Sequence, residues 1–438
     1  MHYKARPHGS ISGMHWSPTN VTLVIMLTLL ILIFVLLFMT ITAQTAQGQA
    51  YTVLHNFSGQ ADGANPWGTP LLDPQGNLYG TTSRGGNING FGCGSYGCGT
   101  VYKLRRAGSG WILTTLYTFG VGGENDGSGP LGQLARDSSG LIYGTTVAGG
   151  QYEAWGGGGT LFKLTPQPRA PVSVMAPWME TQLWSFPSGS NMRPYSDLTM
   201  DSAGNLYGTT FGGVDWFGTI YVLAPPYNER SFYTLYRFTG GADSGKPYAG
   251  VVVGPDGMLY GTTSHSDVGA WCGVVYQMPP YQWAALTVLY TFTDGDDGCN
   301  PVAGVTVDQS GNLYGSTYTG RSRPGGVVFK LSPGNSGWTY SVIYSFAGTG
   351  GPRERLLIDS AGNLYGTTER DGPYNYGSVF KLTPVSGGWS YTSLHDFTGG
   401  KDGAYPEAGL VRDSNGNLYG AASAGGIFGG GVVFQIRP

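Results

Sequence analysis

The stretch Gly-Asn-Leu-Tyr-Gly-Thr-Thr at residues 76–82 decides the fold of this chain, because it recurs with small changes seven times. The copies are spaced by about 51 to 64 residues, and a tyrosine marks each of them: Tyr79, Tyr143, Tyr207, Tyr260, Tyr314, Tyr365 and Tyr419. A sustained period of about 50 residues indicates a repeat architecture in which each unit is one supersecondary structure.

Each repeat contains four short apolar or aromatic runs, which we label A to D. Run A follows a proline, B is the Leu-Tyr-Gly-Thr-Thr run, C resembles Gly-Ser-Val-Phe-Lys-Leu at 377–382, and D resembles Leu-Tyr-Thr-Phe at 116–119. Gly, Pro, Asn, Asp and Ser separate the runs, which is typical of strands. Four antiparallel strands in each of seven units predict an all-β, seven-bladed β-propeller.

The order of the runs also predicts how the ring closes. The repeats open on a D run at 51–57 and end on a C run at 432–436. The last blade is therefore one strand short, and the first strand has no blade of its own. We expect this N-terminal strand to pair into the last blade, which closes the ring and removes the open sheet edges.

The turn between strands A and B has its own signature, Asp-x-x-Gly, as at 73–76. Six of the seven copies keep the aspartate, whereas the fourth has Gly254 there and Asp256 two residues later. Asp in the first position and Gly in the fourth favour a type I turn whose backbone the carboxylate caps.

Residues 1–50 lie before the repeats and read as a targeting segment. Lys4 and Arg6 precede an uncharged apolar run from Val21 to Ala43, and small residues follow. This order is typical of an export signal, but the run is also long enough to span a bilayer. A cleaved signal and a retained membrane anchor both stay open. In either case we expect domain 51–438 to be extracytoplasmic, secreted or anchored.

The composition limits the classes of partner that we expect this protein to bind. Only 11% of residues are charged, the net charge is −3, and no basic stripe is present, so nucleic acid is not expected. The 13% aromatic content and the strict period argue against disorder, despite 76 glycines. We expect a monomer that meets the membrane only through its N-terminal segment and binds an extracellular glycan or protein.

Four cysteines suit an oxidising compartment. Cys93 and Cys98 share one B–C loop, and we expect them to form a disulfide. Cys272 precedes a C strand and Cys299 lies in the following D–A loop, and both loop types emerge on one face of a propeller. A second disulfide is therefore expected, while the alternative of a zinc site lacks nearby histidines.

The repeated Asn-Leu-Tyr-Gly-Thr-Thr, together with Gly-Thr-Val-Tyr-Lys-Leu at 99–104, resembles the motifs of the choice-of-anchor tandem repeat GloVer-containing proteins of bacteria. The resemblance covers 51–438. It implies a surface or secreted protein, often tethered by a terminal anchor, and no established activity, so no catalytic residues carry over. The last repeat departs from the motif with Ala421-Ala422, and the expected tether is the N-terminal segment.

The D–A loops carry a second signature, an aspartate with a proline four residues later. Its aspartates are Asp62, Asp126, Asp243, Asp297 and Asp402, and the aromatic residues in or beside these loops are Trp67, Tyr248, Trp271 and Tyr405. D–A loops lead to the innermost strands, so we expect these side chains to ring the channel mouth. Carboxylates that bind hydroxyls and aromatic rings that stack on sugars favour a carbohydrate ligand. The alternative is that the aspartates cap turns and the aromatic residues pack between blades.

Signals for metals and catalysis are weak. Asp-Gly-Asp-Asp-Gly at 294–298 loosely resembles a calcium loop but lacks the downstream glutamate, so calcium stays open and no other cofactor is expected. The chain has no Gly-x-Ser-x-Gly elbow, His-Glu-x-x-His or phosphate loop. A binding module is therefore the first hypothesis. A carbohydrate-active enzyme, a lyase or a hydrolase with paired carboxylates, is the alternative.

Overall fold

A computed structural model describes residues 50–437 except 88–92, 124, 152–156, 168–177, 188–191, 214, 266–270, 283, 321 and 323. The predicted targeting segment lies, apart from Ala50, outside the described residues. Across the described ranges, no helix has both the length and the apolar content needed to cross a bilayer.

The described residues form seven four-stranded antiparallel sheets in a ring, which confirms the seven-bladed propeller. In blade 1, strands A to D are Leu71–Leu72, Leu78–Thr82, Thr100–Ala107 and Gly110–Thr118. In blade 2 they are Ala135–Arg136, Ile142–Thr146, Thr160–Pro166 and Trp178–Ser185. In blade 3 they are Thr199–Met200, Leu206–Thr210, Thr219–Leu223 and Phe232–Arg237. In blade 4, strands A to D are Val252–Val253, Leu259–Thr263, Val274–Met278 and Thr287–Thr291. In blade 5 they are Thr306–Val307, Leu313–Ser316, Val327–Gly334 and Gly337–Ser345. In blade 6 they are Leu357–Ile358, Leu364–Thr368, Ser378–Val385 and Gly388–Asp396.

Blade 7 combines strands from the first and the last part of the propeller sequence. Its strands A to C are Val411–Arg412, Leu418–Ala422 and Val432–Arg437, and its strand D is Ala50–Asn56. The N-terminal strand pairs antiparallel with the C-terminal one from Ala50 opposite Arg437 to Asn56 opposite Val432. The predicted closure is therefore confirmed, and neither strand is left as an unpaired edge.

The glycine of the recurring motif makes room for an aromatic ring from strand C. In blade 5, Gly315 pairs with Phe329, and a Cβ built on Gly315 would lie 2.5 Å from the Phe329 ring. Every blade repeats the arrangement, with strand C rings at Tyr102, Phe162, Tyr221, Tyr276, Phe329, Phe380 and Phe434. A strand with any larger residue here could not let this ring lie across it.

The same rings join successive blades. A fully or nearly buried phenylalanine just after each strand D packs against the strand C ring of the next blade, with centroids 5.2 to 5.5 Å apart. The seven are Phe57, Phe119, Phe186, Phe238, Phe292, Phe346 and Phe397. Tilted and edge-on pairs at this spacing stabilise beyond the burial of their area, so aromatic contacts run around the whole ring.

The motif tyrosine joins strand B to the A–B turn. Tyr79 donates a hydrogen bond to Asp73 at 3.1 Å, and the Asp73 carboxylate also accepts the Asn77 amide at 2.8 Å. In blade 4, where the usual aspartate is absent, Tyr260 instead donates to Asp256 at 2.7 Å. The predicted aspartate-capped turn is present, and the fourth repeat replaces the missing carboxylate from two residues further along.

The substitution Gly315→Ala should destabilise the protein, because the new methyl group would meet the Phe329 ring. We expect a loss of about 1–3 kcal/mol in the free energy of unfolding, the usual cost of overpacking a core. Gly388→Ala is the control, since a Cβ there meets nothing within 4 Å. Denaturant unfolding measures both, and equal stability of the two variants would contradict this role of the glycine.

Candidate functional site

The loops between strands D and A are held to strand B by backbone hydrogen bonds on one face of the ring. In blade 4, Lys246 has the left-handed φ of 56°, and its carbonyl accepts a hydrogen bond from the amide of Ser264 at 3.2 Å. The equivalent acceptors in the other blades are Asn65, Gly129, Arg193, Asn300, Gly351 and Tyr405. Each accepting residue immediately precedes the D–A proline, so this bond fixes where the chain turns toward the axis.

The residue after each D–A proline lines the mouth of the central channel. These seven residues are Trp67, Leu131, Tyr195, Tyr248, Val302, Arg353 and Glu407. The space that they enclose with four neighbours is about 40 Å³. That volume holds a few water molecules but not a sugar ring.

One arginine at the mouth holds two glutamates. Arg353 Nη1 lies 2.7 Å from Glu369 Oε2 and 3.8 Å from Glu407 Oε1, and both glutamate side chains are less than a tenth exposed. Tyr318 donates a further hydrogen bond to Glu369 at 2.8 Å. The Arg353 guanidinium also lies over the Trp67 ring, 5.8 Å from its centroid.

The two carboxyl groups differ in acidity because their environments differ. Burial raises the pKa of Glu407 to about 7, more than Arg353 lowers it. Burial also acts on Glu369, but Arg353 and the Tyr318 hydroxyl outweigh it and lower the pKa of that group. Glu407 and Glu369 thus form a pair of carboxyl groups whose pKa values are moved in opposite directions, and enzymes use such pairs for proton transfer.

Two further acidic side chains, Asp197 and Glu354, line the same space at the channel mouth. Burial, and next the neighbouring Asp197, raise the pKa of Glu354 well above its usual value. Asp197 accepts the Gln133 amide at 2.7 Å and lies 3.9 Å from Arg355 Nη2.

The five predicted aspartates cap their own loops. Asp402 accepts the Thr398 amide at 2.9 Å and lies 3.1 Å from His395 Nε2 on strand D. The other four bond in the same manner to their loop and to the strand D residues His55, Tyr117, Tyr236 and Tyr290. None of the five is among the residues that line the channel mouth. A role in ligand binding stays a prediction for them.

A larger groove lies beside the mouth, where blades 4 and 5 meet, and we call it the blade 4–5 groove. Its volume is about 470 Å³, and it is lined by Tyr248, Ser264, His265, Trp271, Cys272, Asp294, Cys299, Asn300, Val302 and Tyr318. The Trp271 side chain is 67% exposed. The groove thus combines three aromatic side chains with amide, imidazole and carboxylate groups.

The four predicted aromatic residues lie at different places on this face. Trp67 and Tyr248 line the channel mouth, and Tyr248 lines the blade 4–5 groove as well, together with Trp271. Tyr405 packs under Arg370, whose guanidinium lies 4.7 Å from the ring centroid.

Both predicted disulfides, Cys93–Cys98 and Cys272–Cys299, are formed. Such bonds are typical of extracytoplasmic proteins. In the described part of the chain, one trio of potential metal ligands lies together, Cys272, Cys299 and Asp294, with its atoms within 4.8 Å. The two sulfurs are bonded to each other, so they offer no thiolates to a metal.

A third concavity lies on the outer rim, and no D–A loop residue is among its lining. Its volume is about 590 Å³, and most of its lining comes from strand D of blade 3, Phe232–Arg237. At one end, Trp184 stacks on Phe232 with centroids 4.1 Å apart. Its surface is mainly apolar, with Arg237 and Gln282 as its long polar side chains.

Sequence reasoning missed the charged residues at the channel mouth. Arg353 and Glu407 occupy the same repeat position as Trp67 and Tyr248, directly after the D–A proline. Comparing that one column across the seven repeats could have found them. Glu369 directly follows strand B of blade 6, and no pattern in the sequence signals that it meets Arg353.

Comparison with known proteins finds one sequence family and several structurally similar proteins. A sequence profile of the Gloeobacter/Verrucomicrobia repeat matches residues 39–270 and 246–438. No curated protein matches the chain significantly. Among solved structures, the extracellular domain of a B. thetaiotaomicron protein described as a one-component system superposes with a TM-score of 0.53 at 11% identity, covering 88% of this chain and 40% of that one. A gluconolactonase from Xanthomonas campestris, at 12% identity and 89% coverage of both chains, gives a TM-score of 0.40.

The raised pKa of Glu407 predicts a pH dependence of stability. The folded state keeps this proton up to about pH 7, whereas the unfolded chain loses it near pH 4.5, so the free energy of unfolding should fall as the pH rises through this window. In Glu407→Gln the fall should be shallower, by up to about 1.4 kcal/mol per pH unit. Thermal unfolding between pH 4.5 and 8 measures the slope, and identical slopes for the variant and the wild type would contradict the assignment.

Proposed function

The chain belongs to the Gloeobacter/Verrucomicrobia repeat family, and we propose that its propeller is an extracytoplasmic binding module for carbohydrate. The observation that carries the proposal is the blade 4–5 groove, in which the exposed Trp271 stands beside Tyr248 and Tyr318. The Trp271 ring is both exposed and part of the lining of a concave groove, so its face is accessible to a ligand.

The chemistry of the groove suits a sugar. Flat aromatic surfaces can cover the apolar face of a pyranose ring, and rings with polar edges tolerate a half-wet site. Asn300 and His265 offer donors and acceptors for hydroxyl groups, and Asp294 offers an acceptor. The volume of about 470 Å³ lies in the range of small-molecule sites, so one or two sugar units would fit.

A carbohydrate-active enzyme is the second candidate, and the Glu369–Arg353–Glu407 cluster is what favours it. One group could hold a proton and the other accept one at neutral pH. The space at the mouth admits only water, so a glycosidic bond would have to reach these carboxyls from the blade 4–5 groove, which shares Tyr248 and Val302 with the mouth. Binding without turnover is therefore the simpler proposal.

Attachment to the cell is also proposed. The two disulfides support exposure outside the cytoplasm. Residues 1–50 would then act as a cleaved signal, which releases the protein, or as an anchor, which keeps it at the membrane surface. N-terminal sequencing of the mature protein distinguishes the two.

Trp271→Ala should abolish binding of the purified protein to a glycan array, or weaken it by roughly tenfold or more, because the loss of an aromatic anchor typically costs 1–2 kcal/mol or more. Trp216→Ala is the matched control. Trp216 is 61% exposed and lies in the corresponding B–C loop of blade 3, outside the groove. Its removal should leave binding unchanged.

Three outcomes would count against the proposal. Absence of wild-type binding to any glycan, with and without calcium, would reject carbohydrate as the ligand. Equal losses of glycan binding in Trp271→Ala and Trp216→Ala would show that the glycan does not bind in the blade 4–5 groove. Release of reducing ends from a bound glycan, lost in Glu407→Gln, would replace the binding module with the enzyme.

A further inference from the structure

The Cys272–Cys299 disulfide lies in the floor of the blade 4–5 groove and joins two loops that carry its walls. Cys272 precedes strand C of blade 4 and is adjacent to Trp271, while Cys299 lies between strand D of blade 4 and strand A of blade 5 and is adjacent to Asn300. The bond spans 27 residues of sequence and brings the two Cα atoms to 4.5 Å.

Backbone hydrogen bonds connect the residues at the disulfide to the segment 318–319 of blade 5, which also lines the groove. The Asn300 amide donates to the Cys272 carbonyl at 3.1 Å, and the Cys299 amide donates to the Thr319 carbonyl at 2.6 Å. The amide of Tyr318, a groove residue, in turn donates to the Asn300 carbonyl at 2.9 Å. The position of the disulfide therefore affects the B–C loop of blade 4, the D–A loop and the segment that follows strand B in blade 5.

Other junctions of the ring do without a covalent link. The bond from the Asn300 amide to the Cys272 carbonyl has counterparts from Asn65 to Gly430, Gly129 to Cys98, Lys246 to Phe217, and Tyr405 to Tyr376. Neither disulfide crosses any of these four junctions. A hydrogen bond is thus enough to build the propeller there, and the extra constraint occurs at the junction that carries the groove.

We propose that the Cys272–Cys299 disulfide is a positioning element of the binding site, which preorganises Trp271 and Asn300 for the ligand and is dispensable for the propeller. This inference rests on the proposed function only for the ligand. Holding the two loops together before binding spares the entropy of ordering them, which would otherwise weaken affinity. Binding should accordingly depend on the oxidation of this one pair.

The test replaces both cysteines in the full chain, as C272S/C299S, with C93S/C98S as the matched control in the B–C loop of blade 1. Hydrogen–deuterium exchange of the amides at 299–300 and 271–274 reports on the loops without any ligand, and thermal unfolding reports on the ring. We expect exchange at these amides to rise by roughly tenfold or more in C272S/C299S, while exchange in strands of other blades stays unchanged.

Affinity for the glycan that binds the wild type most tightly is the second readout. It should fall by roughly tenfold, as expected for one or two side chains that must be ordered on binding, and C93S/C98S should bind as the wild type does. Should C272S/C299S fail to fold, C272A/C299A offers a less polar replacement in this buried site; global unfolding of both variants would overturn the claim that the bond is dispensable for the propeller.

The outcomes separate the two proposals. Unchanged exchange at 271–274 and 299–300 would overturn the positioning role whether or not a ligand is known. Raised exchange together with unchanged affinity would overturn its relevance to binding. Raised local exchange in a protein whose wild type binds no glycan would reject the proposed function and leave the positioning role of the disulfide supported.

Discussion

The contact between a phenylalanine after strand D and a strand C ring of the next blade is the interaction on which this structure depends. Blades of a propeller share few backbone hydrogen bonds, so side chains must set their spacing. Here seven such pairs keep nearly the same centroid distance. Each requires a glycine opposite the ring on strand B, which explains why the motif recurs as Leu-Tyr-Gly rather than with a bulkier third residue. The N-terminal strand completes the series, because Phe57 packs on Tyr102.

Because the interior is repeated so strictly, variation is concentrated on the loop face. The position after the D–A proline is aromatic, aliphatic, basic or acidic in different blades, although the backbone that presents it is held by the same hydrogen bond each time. A rigid ring with variable loops is a common way to build a binding surface. The blade 4–5 groove is where an exposed tryptophan, polar groups and a covalent constraint coincide.

Sequence reasoning went furthest where local chemistry determines the outcome. Strand order, ring closure, the aspartate-capped turns and both disulfides followed from spacing and residue type. The position of the D–A aspartates did not, because a repeat period gives the place of a residue in the chain but not the direction of its side chain. Asp402 points back to Thr398 and His395 rather than to the channel. Arg353, Glu369 and Glu407 meet only in three dimensions, since their separation reflects how blades 6 and 7 pack around the axis.

The central functional claim is that a sugar binds on the loop face between blades 4 and 5. A crystal structure of the protein with the most tightly bound oligosaccharide tests it most directly. The expected result is a sugar ring stacked on Trp271, with its hydroxyl groups bonded to Asn300 or His265. An oligosaccharide bound in the rim concavity along Phe232–Arg237, with Trp271 left bare, would contradict it.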